Sequence, residues 1–446
     1  MHKFLLPIIY TLLPLLSLAA PCKAVSPAPL PASFDGSMMP YDFAVTDPAP
    51  VFPDSLKPVH VSYVARHGAR FLSSPKTISS VEKELYKAAT ERRLSPEGDA
   101  FFSLLKQIND STADRWGLLS KVGIAEEERL GKDMYDLVPS LMKRKGTRLN
   151  SISTYVPRVI MTMYQFNHSL ERRNQHLEVY TSSGHQYDSL LRCFHAFNDY
   201  AQYRDSGAWV EVYDRFVDKH VPAAPAQRLF GKEADNNKHK LRKLTMEMYN
   251  IVQGCRAAGF APPTTRWFTV DEYRQCYLAS NLKHWLRNTP NALDPWCAPA
   301  TSMLIERIIA DADAAIANDT DTIFNGYFGH AETLLPLFST LNLPGCYADT
   351  DDYDSLNESW KLEDITPLGA NLAIIFLRSD SGRIYTAFRL NGCNISPWAG
   401  ASHIMPWEEV KDYWRERIRS LSPEGDGSVD IIETPQVRQR PHVRML

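Results

Sequence analysis

Apolar positions along this chain recur in two periods that replace each other several times. From Lys57 onward, Val59, Val61, Tyr63 and Ala65 alternate with His60, Ser62 and Val64, the period of two expected of a strand whose faces meet different surroundings. That strand stops at Arg66. Downstream, Ile78, Val81, Leu85 and Ala88 fall on one helical face, with Ser79 and Glu82 spaced as a capping box. Ser95-Pro96-Glu97 opens a second helix that turns Phe101, Leu104, Leu105 and Ile108 inward. A third runs through Glu127, Leu130, Met134, Leu137 and Val138. Gly131 in its middle costs about 1 kcal/mol against alanine, which points to close packing there. A second strand, 150–155, leads to a helix through Ile160, Met163 and Phe166.

From Asp188 to about Asp319 helical periods take over, at 209–217, 241–252, 270–286 and 303–317, and long alternating strands are scarce. Strands return at 320–329, 371–377 and 383–390. The last two are joined by the turn Asp380-Ser381-Gly382, and 371–377 is apolar throughout, as suits a strand buried on both faces. A closing amphipathic helix spans 407–418. Residues 25–56 show no sustained period and read as an extended lead-in. This order predicts an α/β fold: a core of residues 25–187 and 306–446, with a mainly helical cap inserted at 188–305.

Composition narrows the function. With 446 residues, 44% hydrophobic and 23% charged, the chain has room for a sizeable core, and a formal net charge of −3 excludes a nucleic-acid binder that relies on a general basic surface. Residues 1–24 have the basic start (His2, Lys3), apolar run and small-residue end of a secretory signal peptide, with cleavage expected near Ala20 or Ala24. A soluble secreted or periplasmic product without stable membrane insertion is expected. Without Cys22, six cysteines remain, Cys193, Cys255, Cys276, Cys297, Cys346 and Cys393, which permit up to three disulfides in an oxidising compartment. None forms a CxxC pair, and no metal is expected. Glycosylation sequons stand at Asn109, Asn167, Asn318, Asn357 and Asn394. The basic run Lys238, Lys240, Arg242 and Lys243 reads as a solvated helix face.

The strand ends carry the candidate chemistry. Arg66-His67-Gly68-Ala69-Arg70 places two guanidinium forks, each matched to phosphate oxygens, on either side of an imidazole that neighbouring cations keep neutral and nucleophilic. Arg158 begins the helix after the second strand, where a cation opposes the helix dipole unless an anion is near. The strand 320–329 ends in His330-Ala331-Glu332, a hydrogen-bond donor and an acid placed at a helix start. Lys76, basic and close after the first motif, is a further candidate for substrate contact.

Arg66-His67-Gly68-Ala69-Arg70 resembles the signature of the histidine phosphatases in their acid phosphatase and phytase branch, although Leu72 stands where many members have proline. Gly117-Leu118-x-Ser120-x-x-Gly123, followed by Glu126 and Leu130-Gly131, resembles a second block of that branch. Many members have His-Asp where this chain has His330-Ala331-Glu332, which looks like the multiple inositol polyphosphate phosphatases. The resemblance implies a phosphoglycerate-mutase-like doubly wound mixed sheet flanked by helices. It also implies a small-molecule substrate, inositol hexakisphosphate (phytate) and lower inositol phosphates, with no cofactor. In that reading His67 takes up the phosphoryl group, Arg66, Arg70, Arg158 and His330 hold it, and Glu332 protonates the leaving oxygen. Thr162 stands where the family often has a hydroxyl near the phosphate. The alternatives are a broad-specificity histidine acid phosphatase and a secreted phospho-ligand binder without turnover.

Overall fold

The computed structural model describes residues 27–231, 237–317 and 321–423. The expected signal peptide at 1–24, Cys22 and the sequon at Asn318 lie outside them. Among the described residues, eight strands form one mixed sheet. They are β1 (Leu56–Arg66), β2 (Arg148–Ser153), β3 (Glu178–Ser183), β4 (Thr322–Gly329), β5 (Asn371–Ser379), β6 (Ile384–Leu390), β7 (Cys393–Ile395) and β8 (Ile404–Pro406). The order is β3-β2-β4-β1-β5-β6-β7, with β8 on β6. β1 through β4 pair in parallel, and β5 onward are antiparallel.

The alternation in β1 separates two buried layers rather than core from solvent. Val61, Tyr63 and Ala65 join one apolar cluster with Leu130, Met163 and Phe166, while Val64 joins the other with Leu304, Leu334 and Trp407. Helices Lys121–Leu137 and Pro157–Glu171 cover the first face. They cross at Gly131, where a Cβ would stand 2.6 Å from the Phe166 carbonyl oxygen, the close contact expected of a mid-helix glycine. β3 lacks an apolar alternation because it is a half-exposed edge strand, so the sequence pattern passes over it.

Local signals hold unevenly. Ser95 caps the helix Pro96–Thr112 by accepting from the Gly98 amide, as expected. Ser79 does not cap: the helix Lys76–Thr90 starts one turn earlier, and the Ser79 hydroxyl donates to the Lys76 carbonyl from inside it. The lead-in is not merely extended. It makes short turns at Ala32–Met38 and Phe43–Val45 and buries Leu30, Met38 and Tyr41. Fully buried Asp35 accepts from Arg256 (2.7 Å) and Tyr273 (2.6 Å), fastening this segment to the helices between β3 and β4.

Those helices include Trp209–His220, Lys238–Val252, Val270–Asn288 and Cys297–Ile316, the last spanning the expected boundary at 305. Their buried side chains are continuous with the cluster on one face of the sheet. The disulfide expectation is corrected: all six described cysteines carry free thiols. Cys255, Cys276 and Cys346 serve as small apolar members of the main core, while Cys193 and Cys297 share a satellite cluster. Asn167 is buried, its side-chain oxygen accepting from Ser151, which removes it as a glycosylation site. Arg242 pairs with Asp218 and Lys240 with Glu84 on an exposed helix face, in keeping with the solvated reading of that run.

Candidate active site

Register brings the strand ends together. β1 and β4 are parallel neighbours in which Arg66 pairs with Gly329, so His67 and His330 leave adjacent strand tips at the same level. The His67 amide donates to the Gly329 carbonyl (3.1 Å), and the two imidazole centroids lie 5.7 Å apart, edge to face. β2 flanks β4 on its other side with Ser153 opposite Phe328. The chain then turns through Thr154 into the helix whose first turn carries Arg158. Arg158 Nη2 comes to 3.5 Å from His330 Nδ1, and Thr154 Oγ1 lies 3.3 Å from His330 Nε2. Ligand sites form at the carboxyl ends of parallel strands because the chain diverges there into helices and leaves a crevice.

The loop after β1 is held from several sides. Gly68 donates its amide to Thr162 Oγ1 (3.1 Å) and Ala69 donates to Glu126 (2.7 Å). His67 Nδ1 lies 3.0 Å from the Gly68 carbonyl oxygen. A carbonyl only accepts, so Nδ1 carries the proton and Nε2 keeps its lone pair free. Arg66 Nη1 donates to the carbonyls of Ser37 and Thr366 (2.6 Å each), and Arg70 reaches the Phe71 carbonyl (2.9 Å) and Met38 Sδ (3.6 Å). Arg66, Arg70 and Arg158 each keep a buried Nε with no acceptor among the described residues. Three guanidiniums packed together with donors to spare fit an oxyanion.

Glu332 lies in the first turn of the helix Ala331–Thr340, its side chain 36% exposed and 4.0 Å from Arg204 Nη2. Arg204 and Arg287 come from the helices between β3 and β4, as do Lys283 and His284. Among the described residues no group of three His, Cys, Asp or Glu is placed to hold a metal ion.

A family model, the histidine phosphatase superfamily (branch 2), matches residues 58–391. The chain belongs to that superfamily. It is a phosphomonoester hydrolase. Among solved structures it resembles the Bifidobacterium longum multiple inositol polyphosphate phosphatase in complex with inositol hexasulfate, with 17% identity, a TM-score of 0.72, and 85% of this chain and 97% of that one covered. The phosphate complex of the same protein aligns with 16% identity, a TM-score of 0.70 and coverage of 88% and 99%. The phytase from D. castellii aligns with 17% identity, a TM-score of 0.65 and coverage of 87% and 85%. No curated protein matches by sequence.

In this histidine phosphatase, burial first, and then the charges of Arg158, Arg66 and Arg70, hold the His67 pKa well below the usual histidine value. The motif itself shows only the cations; burial, the larger cause, comes from the fold around it. Burial and Arg158 likewise push His330 down to about 3. Desolvation and mutual repulsion lower Arg66 to about 10 and Arg70 to about 9, so both stay charged at neutral pH and each gains from a bound anion. Desolvation would raise Glu332, but the permanently charged Arg204 beside it opposes that rise, and the carboxyl stands well below its ordinary range.

Arg66, His67, Arg70, Arg158, His330 and Glu332 are therefore assembled in one place. Two candidates stand apart. Thr162 is fully buried and braces Gly68, giving its hydroxyl to the loop rather than presenting it to a ligand. Lys76 is exposed at the start of its helix, where its carbonyl accepts from Ser79. Sequence reasoning missed Arg204, His284 and Arg287 near Glu332, and it gave Glu126 no role at the site. The available signal was His284 and Arg287, charged or polar positions within a helix that otherwise buries Tyr273, Tyr277, Leu282 and Trp285.

Proposed function

We propose that this histidine phosphatase is an exported phytase-like enzyme, removing phosphate from inositol hexakisphosphate and lower inositol polyphosphates through a phosphohistidine. The observation that carries the substrate reading is a double tier of cations. Arg66, Arg70 and Arg158 suit one phosphoryl group. Arg204 and Arg287 stand beside Glu332 on the segment 188–305, which we take as the cap, and Arg192 lies near Arg158. A simple phosphomonoester needs only the first tier; a ring carrying several phosphates engages both. The likeness to a protein crystallised with inositol hexasulfate supports this reading. Export rests on the composition of residues 1–24.

The geometry supports two in-line steps. His67 Nε2 attacks phosphorus while the bond to the inositol oxygen breaks and Glu332 gives that oxygen its proton. Water then attacks the phosphohistidine, passes a proton to Glu332, and the P–N bond breaks to release phosphate and neutral His67. Arg204 favours the ionised form of Glu332; the substrate's own phosphates offset that charge and let the carboxyl gain the proton it will donate. Most of the acceleration comes from positioning and from charge fixed around the transferring group.

Initial rates on phytate, a sugar phosphate and an aryl phosphate test the reading. Preference for phytate supports it, equal rates on all three point to a broad phosphomonoesterase, and phytate binding without phosphate release leaves only a binder.

A further inference from the structure

Two glutamates behind the loop of the signature motif take no part in the steps above. Glu126 and Glu127 are adjacent in the helix Lys121–Leu137, 4% and 0% exposed. This helix sits flush against the loop: the amide of its N-cap, Ser120, donates to the Ala69 carbonyl (2.9 Å), and a Cβ on Gly123 would stand 2.1 Å from that same oxygen. Glu126 accepts the Ala69 amide on one oxygen (2.7 Å) and the Tyr41 amide on the other (2.9 Å). Those amides belong to separate stretches that meet at the arginines. Ala69 lies between His67 and Arg70, while the stretch ending at Tyr41 offers Ser37 O to Arg66 and Met38 Sδ to Arg70. Glu127 makes no such tie: a Cβ on Gly68 would lie 2.9 Å from one of its oxygens, and neither oxygen has a hydrogen-bond partner among the described residues.

We propose that Glu126 is a positioning residue for catalysis, its carboxylate clamping the Ala69 and Tyr41 amides so that His67 and Arg70 face the same phosphoryl group, while Glu127 fills space as a neutral acid. A carboxylate can take two amide donors at once, one on each oxygen, and hydrogen bonds to a charged acceptor are roughly twice as strong as neutral ones. A buried carboxyl without a donor keeps its proton instead. The two environments agree with that division. Burial pushes Glu126 up to about 7 against the pull of the two amides and Arg66, whereas burial and the neighbouring Glu126 drive Glu127 well above the carboxyl range. Of the two, only Glu126 meets amide donors that favour an ionised carboxyl, and it is the side chain that grips the loop.

The test compares Glu126→Gln, Glu127→Gln and Glu126→Asp on p-nitrophenyl phosphate, with thermal unfolding measured for each, so the outcome does not depend on the inositol phosphate reading. Glu126→Gln turns an NH2 group toward one of the two amides and releases it; its kcat is expected to fall about 10-fold or more, since small misplacements of reacting groups are costly, with KM changed less than kcat. Glu127→Gln, neutral as the acid it replaces, keeps kcat near wild type. Glu126→Asp keeps both acceptor oxygens on a shorter arm and falls between; it supplies the reading if Glu126→Gln does not fold. Wild-type kcat in Glu126→Asp or in folded Glu126→Gln, or an equal loss in Glu127→Gln, overturns the proposal.

Discussion

The strand tips and the helical wall facing them both present cations to the same space, but they hold them by different means. At the tips, main-chain bonds fix position: Arg66 N donates to Ala370 O (2.8 Å), His67 N to Gly329 O (3.1 Å) and Gly369 N to His67 O (3.1 Å). Along the wall, side chains rest on side chains. The Arg204 guanidinium lies 5.0 Å from the Phe194 ring centroid, that of Arg287 lies 5.0 Å from Trp209, and the Lys283 ammonium lies 5.2 Å from Tyr213. Arg204 also donates to Asn288 Oδ1 (3.1 Å), and Arg287 donates to the Arg204 carbonyl (2.9 Å). A backbone ladder specifies position to a fraction of an ångström and does not vary with side-chain identity. Cation-aromatic packing can be rebuilt one residue at a time. The tips therefore suit chemistry shared by every phosphomonoester, and the wall suits the recognition of what the phosphate is attached to.

Substitutions break or sharpen this contrast in a graded way. The largest effect is expected at the tips: His67→Ala abolishes phosphate release from every substrate, measured by colorimetric phosphate assay on folded protein. Glu332→Gln comes next. It lowers kcat by about 100-fold or more on inositol and sugar phosphates, as loss of a general acid does, and by less on p-nitrophenyl phosphate, whose leaving group departs without a proton. At the wall, Arg287→Ala raises KM for phytate by about 10-fold, the scale of one lost charge-assisted hydrogen bond, and leaves KM for an aryl phosphate close to wild type. Equal losses on both substrates would erase the distinction between the regions.

Two smaller effects probe what lies beneath the tips. Gly131→Ala is expected to destabilise the protein by about 1–3 kcal/mol through overpacking against Phe166 and Ser169, read from the urea midpoint, while kcat at permissive temperature is retained. His60, buried in β1 and held down to about 4 chiefly by burial, refuses a proton that the unfolded chain accepts below its ordinary value of 6.5. The unfolded state therefore binds more protons between pH 6.5 and 4, and stability declines as pH falls through that window. His60→Asn takes no proton in either state, so unfolding curves across this window should show a shallower decline than wild type.

Much of the site was legible because its chemistry sits in short contiguous runs. Arg66 to Arg70 and His330 to Glu332 each occupy the few residues where a strand becomes a loop or a helix, and such junctions show in the pattern of apolar positions. Thr162, expected near the phosphate, turns its hydroxyl to Gly68, a direction set by tertiary packing rather than by spacing along its helix. The basic run at 238–243 drew attention through its density, whereas the cations beside Glu332 are isolated residues on helices read mainly for their apolar faces.

The sequence by itself determined where strands stop and which reactive groups stand at those stops, because both depend on neighbours a few residues apart. Only the tertiary structure decided that these ends meet. A parallel register setting Arg66 opposite Gly329 depends on two strands more than 250 residues apart finding one alignment in which both faces of β1 are buried. It likewise decided that Arg204 and Arg287 face the site, and that the cysteines pack as separate thiols. Such placements arise from the packing of whole elements, to which no local period in the chain corresponds.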